Sequence, residues 1–410
     1  MRVGWGLMMM CVLGCATPAE PSDAGSASSD VGTDAGLSTC PGAHAIAIAP
    51  EDAVSVLGAR PRYPSPTRFD QVGASPVDPD GVLALVEPTS GDFFGWGGSA
   101  TLRRFTRAGQ SSWSTSASVR GPLQLDVTTG RLLGLGETDE LVVVDALTGR
   151  STSVPWTDAF SATFAPDGRI VATTREPCDL AVFDGSTEQA RVHVGDRCGV
   201  VAITCDLAWV EARTGALAER MVVRLADLGV GWRAPLEPSA LGETLRSDGS
   251  LLVVTSTTRV DGSIEWGFER IGLDGTVTRL GSLRSSVPPT TLAFATDSLG
   301  TDFVRIDRSV VRIDAAGAMS SILLDVAPTE GPDAIGALVL TTDGELLVST
   351  GASEGSEGMG RTLRFLSADT LDVRRSVLLD FDACGAPVLG PRGTLYVPAC
   401  DGSIHVIGPS

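Results

Sequence analysis

Ser353 sits in Gly351-Ala352-Ser353-Glu354-Gly355, the G-x-S-x-G spacing that exposes a nucleophilic hydroxyl when a strand precedes it and a helix follows. A strand pattern does precede it, but Ser356-Glu357-Gly358-Met359-Gly360 and a further strand pattern follow, so the segment reads as a loop between strands. Gly95-Trp96-Gly97-Gly98-Ser99-Ala100 has the spacing of a dinucleotide fingerprint. The continuation Thr101-Leu102-Arg103-Arg104-Phe105 is strand-like, so no helix N-terminus is expected there to meet a pyrophosphate. Asp-Gly pairs recur along the chain, but each brings one carboxylate where Ca²⁺ takes roughly six to eight oxygens. His44, His193 and His405 are the only histidines, and no two cysteines stand in Cys-x-x-Cys spacing, so no zinc ligand set is read. The expectation is a chain with no metal, no cofactor and no catalytic residue assigned.

The cysteines fit structural bridges better. Setting aside Cys11 and Cys15 near the N-terminus, six remain, and their pairing is not fixed by count alone. Cys178 and Cys198 are equidistant from Glu188 in a polar turn, and Cys384 and Cys400 from Arg392 in Pro391-Arg392-Gly393. Each pair is expected to face across a hairpin as a disulfide. Cys40 and Cys205 are not expected to bond each other.

The elements that carry these residues are strands. From residue 43 onward short apolar runs alternate with Gly, Asp and Pro, with no sustained helical periodicity. One unit recurs, a polar turn followed by a short strand: Pro79-Asp80-Gly81-Val82-Leu83, Thr129-Gly130-Arg131-Leu132-Leu133, Pro166-Asp167-Gly168-Arg169-Ile170, Ser247-Asp248-Gly249-Ser250-Leu251, Thr342-Asp343-Gly344-Glu345-Leu346 and Pro391-Arg392-Gly393-Thr394-Leu395. Degenerate copies at Cys205-Asp206-Leu207 and Gly300-Thr301-Asp302 complete eight units spaced by about 45 residues, the period of propeller blades. A second hairpin follows each, as in Leu141–Ser151, Phe268–Thr276 and Val311–Gly317, making each unit a four-stranded meander. The last unit is one strand short, and Ala43–Ala49 is expected to pair with residues 403–407, closing the ring from both ends and removing its open edge. The fold expected is all-β, an eight-bladed β-propeller, with seven blades as the alternative.

Ala165-Pro166-Asp167-Gly168-Arg169-Ile170-Val171 resembles a Trp-Asp-like propeller repeat, and Gly393-Thr394-Leu395-Tyr396-Val397 with Asp401-Gly402-Ser403-Ile404 resembles a pyrroloquinoline-quinone-like one. The resemblance covers nearly all of residues 43–410 and implies a fold rather than an activity. Quinone-dependent dehydrogenases of similar blade number hold their cofactor beside vicinal cysteines and Ca²⁺. No adjacent cysteine pair stands in this sequence.

The N-terminus reads as an address. Arg2 opens a positive region, and the apolar run Val3–Leu13 is shorter than the roughly 20 residues of a membrane span, so it reads as a signal peptide. It ends in Val12-Leu13-Gly14-Cys15, which resembles the lipobox of bacterial lipoproteins. The resemblance implies cleavage after residue 14 and a lipid on Cys15. Residues 15–40, rich in Ala, Ser, Asp, Gly, Thr and Pro, read as a flexible linker, and 41–410 as the propeller domain. Ala16 after the cysteine implies the outer membrane, on its periplasmic face or at the cell surface.

A net charge of −19, with every basic residue an arginine, argues against binding nucleic acid through a basic footprint. Propellers usually bind on the face where the loops between second and third strands and between blades converge. Two loops stand out there, one carrying Phe93, Phe94 and Trp96, the other Glu354 and Glu357. They are the candidate contacts for a protein or glycan partner. The functional expectation is a monomeric, non-catalytic envelope lipoprotein, a propeller scaffold or binding module. The alternative is a propeller enzyme, a quinone-type oxidoreductase or a carboxylate-based hydrolase or lyase, working at the central funnel. A cluster of perturbed acids, Arg or His at the funnel mouth would favour the enzyme.

Overall fold

The computed structural model describes residues 68–407 apart from 76–77, 88–99, 107–108, 127–128, 137, 139, 157, 205, 237–239, 247, 286–291, 298, 325–337, 342–343, 351–361, 382–386, 391–393 and 400–402. Its strands form eight antiparallel blades arranged in a ring. Blade 1 is β1 (Arg68–Ser75), β2 (Asp78–Glu87), β3 (Ala100–Thr106) and the first half of β4 (Ser111–Asp126). Blade 2 takes the second half of β4, then β5 (Arg131–Leu135), β6 (Leu141–Asp145) and β7 (Ser151–Val154). Blade 3 is β8 (Ala159–Phe164), β9 (Ile170–Thr174), β10 (Cys178–Asp184) and β11 (Thr187–Gly195); blade 4 is β12 (Arg197–Ile203), β13 (Leu207–Thr214), β14 (Leu217–Arg224) and β15 (Val230–Pro235). Blade 5 is β16 (Ala240–Leu245), β17 (Leu251–Thr258), β18 (Ile264–Ile271) and β19 (Val277–Ser285); blade 6 is β20 (Leu292–Thr296), β21 (Asp302–Ile306), β22 (Ser309–Ile313) and β23 (Met319–Leu323). Blade 7 is β24 (Leu338–Leu340), β25 (Glu345–Thr350), β26 (Thr362–Ser367) and β27 (Val373–Leu378), and blade 8 is β28 (Val388–Leu389), β29 (Leu395–Pro398) and β30 (Ile404–Ile407).

The repeated sequence unit is the turn between the first and second strands of a blade. Seven of the eight copies fall there, and Gly130, Gly168, Gly249, Gly300 and Gly344 sit in these turns at positive φ, a conformation an L side chain adopts only under strain. In blade 1 the tight hairpin lies earlier than expected. Ser75 pairs with Asp78, so Asp80-Gly81 is inside β2 rather than at the turn.

Second strands read as unbroken apolar runs because a blade is packed on both faces. Their two-residue alternation sends successive side chains to opposite neighbours. Val82 packs toward blade 8 and Leu83 toward blade 2; Leu251 packs toward blade 4 and Leu252 toward blade 6; Leu395 faces blade 7 and Tyr396 blade 1. Among the described residues the buried apolar side chains form one cluster at each of the eight seams. The core is therefore a circle of seams. Fourth strands such as β7, β15 and β27 are largely exposed, the outer rim.

First strands line the hole. They lie side by side around the ring, β1 by β4, β4 by β8, β8 by β12, β12 by β16, β16 by β20 and β20 by β24, with β28 returning to β1. Closure is packed by Val82 and Phe105 of blade 1 against Tyr396, Ile404 and Val406 of blade 8. Blade 8 has three described strands; Ala43–Ala49, expected as its fourth, lies outside the described residues. Among the described residues no helix is long and apolar enough to cross a membrane.

Polar latches supplement the seams. Arg131 of blade 2 donates from Nη2 to the carbonyl of Gly168 in the first turn of blade 3 at 2.9 Å. Trp209 Nε1 makes the same reach from blade 4 to Gly249 of blade 5 at 3.0 Å, and Arg246 Nη2 from blade 5 to Gly300 of blade 6 at 3.1 Å.

Candidate functional site

Cys178 and Cys198 are joined, with 5.6 Å between their Cα atoms, but not across the hairpin expected from their spacing. The turn of that hairpin is Gly185-Ser186, with Asp184 opposite Thr187, so β11 ends with Gly195 opposite Cys178. A glycine at positive φ lets the chain reverse within two residues, three positions before the point that equal spacing about Glu188 required. Cys198 is thereby carried past the hairpin into β12, the inner strand of blade 4, opposite Ala212. The disulfide is a staple between blades 3 and 4.

A cleft opens beside the staple, on the face where the loops between second and third strands and between blades converge. Its volume is about 480 Å³, and it is lined by Glu176, Pro177, Asp196, Arg197, Arg213 and Gly215, a size within the usual range of ligand pockets. Glu176 and Pro177 lead into Cys178 in blade 3; Asp196 and Arg197 are the connection from blade 3 to blade 4; Arg213 and Gly215 end the second strand of blade 4 and begin its turn. Backbone hydrogen bonds fix the walls. Asp196 N–H donates to Arg213 O at 2.7 Å, and Gly215 N–H donates to Asp196 Oδ2 at 2.7 Å. The blades approach so closely that a Cβ on Gly195 would stand 2.8 Å from the Arg213 carbonyl oxygen, so only glycine fits there. Arg197 forms an ion pair with Glu176 across the cleft. Arg213 is exposed and, among the described residues, has no carboxylate partner. Next to Glu176, Arg175 lays its guanidinium over the exposed ring of Phe160, 5.4 Å from its centroid. A bulge at the start of β8, between Ala159 and Ser161, pushes Phe160 out of the ladder.

The inner strands present a different surface. Their partly exposed positions include Ser161, Ala162, Thr163, Gly199, Val200, Gly242, Thr244, Ala293 and Ala295. Glu243 is the carboxylate among them, and it turns away into the seam with blade 4. There Arg220 donates one amino group to Glu211 at 2.6 Å and also to Glu243. Burial, reinforced by the like charge of Glu211 and opposed by Arg220, pushes the Glu243 carboxyl up to about 7. One seam further on, Arg246 Nε donates to Asp302 Oδ2 at 2.6 Å, and Thr296 donates to the other oxygen at 3.0 Å. Burial pushes Asp302 upward as well. Both groups are enclosed by partners, so each works as an interblade clamp.

The other candidates scatter. His193 is exposed on the outer strand of blade 3, its Nδ1 3.1 Å from Asp179 Oδ1, whereas His405 is buried in blade 8 and stacked at 3.5 Å on Phe381. Among the described residues no cluster of His, Cys, Asp or Glu could hold a metal ion. The loop candidates Phe93, Phe94, Trp96, Glu354 and Glu357, the Ser353 motif, residues 95–99 of the glycine-rich motif, the Cys384 and Cys400 pair, Cys15, Cys40, His44 and Cys205 lie outside the described residues. Sequence reasoning missed Arg213, Arg175 and Phe160. Their signals were an arginine at a strand end and an aromatic next to an inter-blade turn, and neither marks a cleft until two blades are brought together.

The ring has counterparts among solved structures. The chain is similar to the C-terminal WD40 domain of Sif2, with a TM-score of 0.57 and 11% identity over 89% of this chain and 99% of that domain. It is also similar to a chain of the mitotic checkpoint complex (TM-score 0.46, 14% identity, 69% of this chain and 87% of that one) and to BamB from Moraxella catarrhalis (TM-score 0.43, 12% identity, 83% and 99%). No protein-family model matches the chain, and no curated protein matches it. At 11% identity the likeness to the Sif2 domain is one of fold, and with the blade count it establishes an eight-bladed β-propeller.

Proposed function

We propose that this chain is a non-catalytic binding module of the bacterial envelope, exported, lipid-anchored through Cys15 and carried on the linker of residues 15–40. It engages a protein partner through the face that bears the cleft between blades 3 and 4. The observation that carries this reading is the cleft itself: an open concavity of about 480 Å³, lined largely by charged residues, whose walls are covalently stapled and so held in shape before a partner arrives. The same face exposes Phe160, Leu217 and Val260, apolar contacts of the kind interfaces use. In support of the anchor stand the Val12-Leu13-Gly14-Cys15 motif and the core-poor composition that follows it.

Two experiments test it. A photo-crosslinking residue placed at Leu217 is expected to capture one defined envelope partner, while the same residue at Leu299, exposed on the opposite face, captures none. Equal capture from both faces would refute the assignment. Cys15→Ser is expected to move the protein from the membrane to the soluble fraction, and unchanged fractionation would refute the anchor.

A further inference from the structure

We infer that the cleft between blades 3 and 4 recognises an acidic segment of a peptide, with Arg213 as the principal carboxylate-binding group. The inference rests on the binding-face reading above and gives that face a ligand chemistry.

The charges in the cleft point to an anion. Of the two lining carboxylates, Glu176 is engaged by Arg197 and Asp196 accepts the Gly215 N–H. Of the arginines, only Arg197 is so engaged. Arg213 lines the cleft with its guanidinium uncommitted among the described residues. On a molecule of net charge −19, Arg213 is the guanidinium of this lining left without a carboxylate among the described residues. A guanidinium offers a planar fork of donors that matches a carboxylate in two parallel hydrogen bonds. The staple matters here, because it sets the spacing of Arg197 and Arg213 on one blade against Glu176 on the other.

A peptide fits this lining better than a polyanionic sugar. Glu176 and Asp196 retain acceptor capacity, and a peptide brings backbone N–H donors to meet it. A chain with a carboxylate on every unit would set further charges against Glu176 and Asp196 and against the negative field of the whole protein. Pro177 adds apolar surface for the residue flanking the acid.

The test is a titration of the full-length protein with a fluorescein-labelled hexapeptide of alternating Ala and Glu, followed by anisotropy. The same peptide with Gln for Glu and a labelled galacturonate hexamer are run in parallel. The Glu peptide is expected to bind, the Gln peptide at least 10-fold more weakly, and added salt should weaken the Glu peptide. Arg213→Ala is expected to weaken it at least 10-fold and Arg213→Lys by less. Arg213→Glu is expected to transfer preference to a Lys-containing peptide, a gain that misfolding cannot produce. Equal binding of the Glu and Gln peptides, no effect of Arg213→Ala, or tighter Arg213-dependent binding of the galacturonate each overturns the inference. Capture of a defined partner at Leu217 without any binding of the Glu peptide would sink the peptide inference alone. Equal capture at Leu217 and Leu299 would sink the face reading, whatever the peptide does.

Discussion

At the scale of single residues, the group with the clearest consequence is Glu243. One guanidinium, that of Arg220, serves two carboxylates in a place that water barely reaches, so the second carboxylate holds a proton up to about pH 7. Unfolded, the same group ionises near 4.5. Between those two values the folded chain binds the extra proton, so this group's contribution is fully present below about pH 4.5 and lost as pH rises through 7. Each tenfold gain in proton affinity is worth about 1.4 kcal/mol, which puts the loss at up to about 3 kcal/mol. Glu243→Gln, which cannot ionise, is expected to flatten this fall when unfolding free energies are measured by urea titration between pH 5 and 7.5. If variant and parent show parallel profiles, the proton is held elsewhere. Asp302, also raised by burial, acts in the same direction through a different seam.

At the scale of elements, the sequence made the first turn of each blade legible because the physics there is local. A glycine at positive φ after a polar residue, then an apolar run buried on both faces, needs no knowledge of the rest of the chain. The hairpin between β10 and β11 was less legible. Equal spacing about Glu188 ignored Gly185, whose conformation starts the reversal early, and a shift of three residues moves a cysteine from one blade to the next. The clamps at Arg220 and Arg246, like the cleft, join residues from different blades, and no local pattern encodes those meetings. The disulfide is the element-scale lever. It closes a loop of 20 residues in sequence separation, for which denatured-chain restriction gives about 3 kcal/mol. The double variant Cys178→Ala/Cys198→Ala is expected to unfold at correspondingly lower denaturant. It should also weaken the Glu peptide without touching a lining arginine. A variant with unchanged stability would show that packing alone holds the two blades together.

Across the whole molecule, stability is distributed around a circle, and no blade has a private core. Phe105 belongs to blade 1 in the chain but shares its burial with Tyr396, Ile404 and Val406 of blade 8. Phe105→Ala should cost about 3–5 kcal/mol, as large-to-small changes in well-packed sites do. Its signature is expected to be non-local: hydrogen exchange should quicken in β29 and β30, at the far end of the chain, as well as in β3. Quickening confined to blade 1 would mean the ring does not close through this seam. The eight-fold period was legible from the turns, whereas the pairing of its two ends was legible only as an expectation about residues 43–49.

One seam differs from the rest. Between blades 1 and 2 the backbone does not turn; β4 runs for 16 residues as the outer strand of one and the inner strand of the other. A pull on blade 1 along that strand reaches blade 2 through covalent bonds and through two ladders loaded lengthwise, so many hydrogen bonds resist together. Where several residues separate the last strand of one blade from the first of the next, as between Val154 and Ala159, the same force would open that connection first. Under tension, this pair of blades would behave as a single stiff plate, and the ring would yield elsewhere.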